Sequence, residues 1–452
     1  MPTPPLASGP HGPDAMRPLL DTVLDALQAG NRARGGPLPA GGPAAIAALV
    51  RDTVGDLLPD DGDPHALHDL VRLLAQGAAD PADPLCAAHL HCPPLAVAAS
   101  ADLAAAILNP SLDSWDQAPA ASELETLVTQ ALARETGAAD ALITTGGTES
   151  NLLALLLARE THGSALQLVC GANAHHSLPR AAWLLGLPDP VVVPAPTGTL
   201  DPTALDAALT THPGPHLVAA TAGTTDAGLI DPLPEIAARS RAHHARLHID
   251  AAYGGGLLFS DRHRHRLTGL DAAHTITLDL HKLGWQPLAA GALTLSDPAE
   301  LAALTHHADY LNATDDTDAG LPDLLGRSLR TSRRPDVLKI AVTFKTLGRT
   351  GLGTLVDQVC AIAHQFADLV EQHPGFELHA HPVISTVLFR PTAHTDTSLA
   401  ALRRHLLTTG RAVLGRAHLD GRRWLKATFL NPHTHPDDLT ALLTLVEGNT
   451  PE

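Results

Sequence analysis

Two hydrophobic periods take turns along the middle of the chain. Short apolar runs fall at 141–144, 166–170, 191–193, 216–221, 246–250, 275–279 and 292–296, the run from Thr275 alternating and β-branched, and their length suits buried strands. Between most of them apolar residues recur at helical spacing, over 149–160, 177–185, 202–209 and 234–244. Strand and helix in alternation predict an α/β domain with a mostly parallel, seven-stranded sheet flanked by helices. Upstream, helical periodicity covers 19–28, 44–58 and 66–76, interrupted by the breaker D-D-G-D-P, within a stretch whose first 45 residues are rich in Pro, Gly and Ala. Downstream of an irregular stretch at 308–321, helices are expected from near Arg334 and over 355–371. A strand (385–389), helix (398–408), strand (424–430) and helix (437–447) follow. The predicted organisation is an N-terminal helical arm and layer (1–87), a large domain (88–325) and a smaller α+β domain (326–452).

Composition narrows the function classes. With 44% hydrophobic and 17% charged residues, the chain has the balance of a soluble globular enzyme. Its 48 acidic residues outnumber 30 basic ones, and no basic run occurs, which argues against nucleic acid and anionic membranes as partners. The opening M-P-T-P-P-L-A-S-G-P has neither a charged nor an apolar targeting segment, and no apolar run approaches membrane-spanning length, so a cytoplasmic protein is expected. The 28 histidines are scattered without H-E-x-x-H, and the four cysteines form no C-x-x-C pair. No metal site is expected.

Lysine is scarce: only Lys282, Lys339, Lys345 and Lys426 occur. Lys282 ends the run T-I-T-L-D-L-H-K (275–282), at a strand end, where doubly wound sheets keep their chemistry. Four more motifs fall in comparable places. In G-G-T-E-S-N (146–151) the glycines admit a phosphate close to the backbone, Thr148 and Ser150 offer hydroxyls, and the following helix points its positive end at the anion. The same residues also read as a helix start capped by Thr148. L-H-I-D-A-A-Y-G-G (247–255) puts Asp250 at a strand end, where a carboxylate holds a cationic ring nitrogen, a ligand or a metal, or is structural. T-A-G-T-T-D-A-G-L-I-D (221–231) is a strand and a hydroxyl-rich turn, and A-H-H-S (174–177) offers an imidazole or a capping turn. A phosphate cradle, a flat aromatic ring, a strand-end carboxylate and an amine are the four groups that pyridoxal 5'-phosphate requires.

These motifs, with S-L-D-S-W-D-Q-A-P-A-A-S-E-L-E (111–125), resemble the group II pyridoxal-phosphate-dependent amino acid decarboxylases of fold type I, from about Ala88 to the C-terminus. A-H-L-H-C-P (88–93), A-D-Y-L-N (308–312), S-L-R-T-S-R-R (328–334) and L-K-A-T-F-L-N-P (425–432) are similar to the branch that contains L-2,4-diaminobutyrate decarboxylase and the siderophore-pathway lysine decarboxylases. The resemblance implies that Lys282 bonds the cofactor aldehyde, Asp250 pairs with the ring nitrogen, and His175 and Ala252 cover the two ring faces. It implies that Gly147, Thr148, Ser150, Thr225, Asp279 and His281 surround the phosphate, although an acid beside a dianion is awkward and Asp279 is the alternative support for His281. His89, His91, Cys92, Trp115 and Asp116 would line the substrate pocket, with Asp116 either pairing with a distal ammonium or capping a turn. The implied protein is a homodimer with its active site at the interface, acting on a small amino acid.

The implied reaction is decarboxylation of an L-amino acid, with a basic diamino acid (2,4-diaminobutyrate, ornithine or lysine) as the expected substrate, in siderophore or secondary-metabolite biosynthesis. Many relatives carry a tyrosine in a mobile loop as proton donor. Here the corresponding region, 315–325, has none, and the chain's tyrosines are Tyr253 and Tyr310. Decarboxylation-dependent oxidative deamination therefore stays open, as does a fold type I aminotransferase.

Overall fold

The computed structural model describes residues 3–449, so the outermost positions of the expected arm and small domain, 1–2 and 450–452, lie outside it. Among the described residues, twelve strands form two sheets: β1 (Cys86–Ala87), β2 (Asp140–Thr144), β3 (Gln167–Gly171), β4 (Val191–Val193), β5 (His216–Thr221), β6 (Arg246–Ala251), β7 (Thr275–Asp279), β8 (Gly291–Leu295), β9 (Phe376–Leu378), β10 (Thr386–Pro391), β11 (Val413–Leu419) and β12 (Arg422–Thr428). The larger sheet has the order β2-β8-β7-β6-β5-β3-β4. Its strands β7, β6, β5, β3 and β4 run parallel, while β8 is antiparallel to both its neighbours. All seven expected runs are present, each within a residue or two of its predicted bounds.

Their apolar content follows from burial on both faces. In β5, Val218 and Ala220 face one core together with Leu132, Leu205, Ile236 and Val356. Leu217 and Ala219 face the opposite way, against Leu155, Ala158, Leu178 and Ala181. Neighbouring residues of one strand thus serve two helical layers, as a parallel sheet demands. The helices Gly147–His162 and Ser177–Leu184 form one layer. Pro119–Thr136, Pro202–Thr211, Leu233–Ala242 and the first part of Val337–Gln372 form the other.

The smaller sheet, ordered β1-β11-β12-β10-β9, is antiparallel except where β1 runs beside β11. Its core gathers Phe366, Phe389, Phe429, Leu402 and Leu442. The two helices expected downstream of Arg334 are both present within Val337–Gln372 and meet at a kink at Gly348, whose φ of 61° and ψ of −177° are not helical. N-terminal to both sheets, the helices Gly12–Arg34 and Ala66–Gly77 pack closely at Gly30, where an added Cβ would lie 2.5 Å from the Arg72 carbonyl oxygen. Among the described residues, no helix is long and apolar enough to cross a membrane.

Candidate active site

Strands β2, β3, β5, β6 and β7 all point their C-terminal ends to one edge of the sheet, and the loops that leave them enclose a cavity of about 320 Å³. Gly146, Gly147 and Thr148 reach it from the turn after β2, His175 from the turn after β3, and Thr225 from that after β5. Asp250 and Ala252 reach it from the end of β6, and Asp279, His281 and Lys282 from the end of β7. Nine of the ten residues expected around the cofactor thus line one space.

Its floor is backbone. Gly146 has φ 146°, ψ −178°, a conformation essentially restricted to glycine, and an added Cβ would lie 2.8 Å from His281 Cε1. At Gly147 a Cβ would come within 3.1 Å of the Ala252 methyl and 3.3 Å of Asp279 Oδ2. The helix Gly147–His162 begins here with no side-chain cap: Gly146, not Thr148, is its N-cap, and Glu149 turns back to accept from the Thr145 N–H at 2.6 Å. An uncapped helix start opening on a glycine floor is an anion cradle.

Lys282 Nζ lies 2.8 Å from Asp279 Oδ2, whose carboxylate is also 3.5 Å from His281 Nε2. The other oxygen, Oδ1, is buried without a hydrogen-bond partner among the described residues. Burial holds the imidazoles of His281 and His175 below the ordinary histidine range, against the opposing pull of Asp279 and Asp250 respectively. Asp250, only 5% exposed, accepts from the Ala252 N–H at 3.1 Å and from Asn151 Nδ2 at 2.8 Å. Asn151 closes the G-G-T-E-S-N motif and was not among the expected site residues. Its signal was a polar side chain opening an otherwise apolar helix face.

Several expected contacts lie elsewhere. Ser150 is fully buried, its hydroxyl 2.8 Å from that of Thr144, because its place in the first turn aims it at the sheet and not at the cavity. Cys92 is also buried, its thiol donating to the His281 carbonyl at 3.2 Å and pushed up to about 12 by burial. From its segment it is Leu90 that reaches the cavity, while His89 and His91 are exposed. Trp115 is half-buried outside the cavity, and Asp116 is exposed and accepts from the Ser114 hydroxyl at 2.6 Å, the turn-capping alternative. Tyr253 lines the cavity with its ring, but its hydroxyl is bound to Ser385 and Thr386, and Tyr310 is 84% exposed.

The glycine floor, the uncapped helix start, the buried carboxylate and the lysine together fit pyridoxal phosphate. Comparison with known proteins agrees. A family model described as "Pyridoxal-dependent decarboxylase conserved domain" matches residues 52–392. The L-2,4-diaminobutyrate decarboxylase of Rhizobium meliloti (strain 1021) is 39% identical over 454 aligned residues, covering 96% of this chain and 90% of that protein. The protein of that name from Acinetobacter baumannii is 32% identical over 404 residues, covering 79% of this chain and 78% of that one. Among solved structures, the glutamate decarboxylase domain of diaminobutyrate-pyruvate transaminase and L-2,4-diaminobutyrate decarboxylase from Vibrio parahaemolyticus superposes with a TM-score of 0.87 at 31% identity, covering 98% of this chain and 97% of that one.

Proposed function

Since this chain belongs to the pyridoxal-dependent decarboxylases, carboxy-lyases that act on amino acids, we propose that its substrate is a basic L-diamino acid: 2,4-diaminobutyrate first, then ornithine and lysine. The observation that carries the choice is the similarity to two proteins named for 2,4-diaminobutyrate, one of them matched along nearly the whole chain. Pyridoxal phosphate, when bound, supplies the electron sink for the pair left behind as carbon dioxide departs.

The chain's own residues prepare that step. Lys282 would supply the amine that holds the cofactor through its aldehyde. Asp279 Oδ2, 2.8 Å away, is placed to take the proton that Lys282 Nζ sheds. Asp250 would hold a proton at the ring nitrogen, and His175 and Ala252 would pack against the ring. Gly147, Thr148 and the uncapped helix start would receive the phosphate, with Thr225 and His281 also available to it. Asp279 would act on Lys282 and His281, not on the phosphate, and its 2.8 Å approach to Lys282 Nζ supports that role.

Asp116 does not line the cavity that holds Lys282, so a role on the distal ammonium would have it act across a subunit boundary. That agrees with the proposed homodimer, in which leucines exposed on the N-terminal helices, among them Leu24 (63%) and Leu74 (72%), become covered. The proposed setting is the cytoplasm, with the diamine product feeding a secondary-metabolite or siderophore assembly.

The test is mass spectrometry of products from the cofactor-loaded protein in air, with diaminobutyrate, ornithine, lysine, glutamate, tyrosine and tryptophan as substrates. Loss of carbon dioxide from the diamino acids with both amines retained is expected. Turnover confined to glutamate or the aromatic acids would overturn the substrate class. A second reading, decarboxylation-dependent oxidative deamination, is favoured by the tyrosines: one hydroxyl is engaged with the small domain and the other is on the surface. It would show itself as aldehyde and peroxide.

A further inference from the structure

At the wall of the cavity a chain of buried polar groups converges on Asn151, which is 0% exposed. Asn151 Nδ2 donates to Asp250 Oδ2 at 2.8 Å and to Ser177 Oγ at 2.8 Å. Its Oδ1 accepts from the Thr277 hydroxyl at 2.8 Å and faces His248 Nε2 at 3.0 Å. Both N–H groups and both acceptor positions of the amide are therefore in use.

Donor and acceptor roles follow by elimination. A carboxylate ion only accepts, so the amide nitrogen must face Asp250 and the oxygen must face His248. His248 Nε2 then carries a proton. Burial takes His248 down to about 4, so its ring is neutral near pH 7 and its Nδ1 is bare, accepting from the Thr275 hydroxyl at 2.9 Å. On the other branch, His175 Nδ1 takes the Ser177 N–H at 3.3 Å and lies 2.8 Å from Ser177 Oγ. That nitrogen is also an acceptor, which leaves the His175 proton on Nε2.

We propose that Asn151 is a positioning residue for both groups that meet the cofactor ring. Locked from behind by Thr277 and His248, its single amide holds the Asp250 carboxylate in place for the ring nitrogen and, through Ser177, holds His175 in its Nε2–H form. A buried carboxylate that loses a donor loses the contact that orients it, and an Asp250 turned away from the ring nitrogen could no longer hold a proton there. The inference rests on the proposed pairing of Asp250 with that nitrogen.

The experiment is nitrogen-15 NMR of holoenzyme loaded with ring-labelled pyridoxal phosphate, in wild type, Asp250→Asn, Asn151→Leu and Thr277→Val. Wild type should resonate in the pyridinium range and Asp250→Asn in the neutral pyridine range. Asn151→Leu should move most of the way to the neutral range although Asp250 is intact, with kcat reduced about 10- to 100-fold, the usual cost of losing a group that orients a primary contact, and KM changed less. Thr277→Val, which deletes one of the two donors to Asn151 Oδ1 without changing shape, should move the same way by less. Asn151→Leu with a wild-type resonance overturns the proposal. If that variant does not fold, Thr277→Val with wild-type resonance and kcat does so. A neutral ring in wild type, or one unmoved by Asp250→Asn, overturns it too and identifies the ring pairing as the failed premise.

Discussion

At Gly146 a methyl group would press on the His281 ring at 2.8 Å, in a backbone conformation that costs a residue with a Cβ about 1–3 kcal/mol. Gly146→Ala should therefore fold yet bind pyridoxal phosphate about 10- to 100-fold more weakly, by fluorescence titration of the apoprotein; unchanged affinity would mean that the turn is not the cradle. Lys282→Ala should lose both the visible absorption of the lysine-bound cofactor and turnover, and retained turnover would remove Lys282 from its role. Both residues were legible in the sequence because a glycine pair before a helix and a rare lysine at a strand end each break a local rule. Asn151 and Ser150 were less so. They share one motif and one helical turn, and only the rotation of that turn against β2 decides that Asn151 meets Asp250 while Ser150 meets Thr144.

The elements that sequence alone reveals are those with contrast. The strands of the large sheet stand out as apolar runs between helices, whereas Ala96–Leu108, nearly all small apolar residues, has little amphipathic contrast to read. In β11 the run is broken by Gly415, over which the Lys426 side chain lies, an added Cβ coming 2.9 Å from its Cε. The strands β1 and β9 are too short to carry a period. The S-L-R-T-S-R-R motif read as a family mark, and its Arg333 proves to join elements: 3% exposed, it donates to both carboxylate oxygens of Glu125 in Pro119–Thr136, at 2.8 and 3.0 Å. Truncating one partner leaves the other charge buried and alone. Arg333→Ala should cost about 3–5 kcal/mol by urea unfolding, and the double replacement Glu125→Leu with Arg333→Met clearly less. Equal losses would show that packing, not charge, holds the junction.

For the whole molecule, the 28 histidines that suggested no metal become a statement about acid. Burial lowers His175, His248, His274 and His281 from their ordinary 6.5, His248 to about 4. A histidine depressed in the folded state binds its proton first in the unfolded chain, so stability is whole above 6.5 and falls as pH drops toward the folded value. Each such group contributes a slope of up to about 1.4 kcal/mol per pH unit in that window, and His248 alone on the order of 3 kcal/mol over its span. Urea midpoints should decline from pH 7 to 5, and His248→Gln should flatten the decline; a midpoint constant over that range would contradict the burial of these rings.

The most direct measurement of the central claim is the stoichiometry of one reaction. Cofactor-loaded protein is given L-2,4-diaminobutyrate labelled in its carboxyl carbon, while labelled carbon dioxide, diamine and dissolved oxygen are followed together. The account predicts one carbon dioxide and one diamine per substrate with no oxygen consumed. Substrate left unconverted, or carbon dioxide accompanied by aldehyde and oxygen uptake, would contradict it.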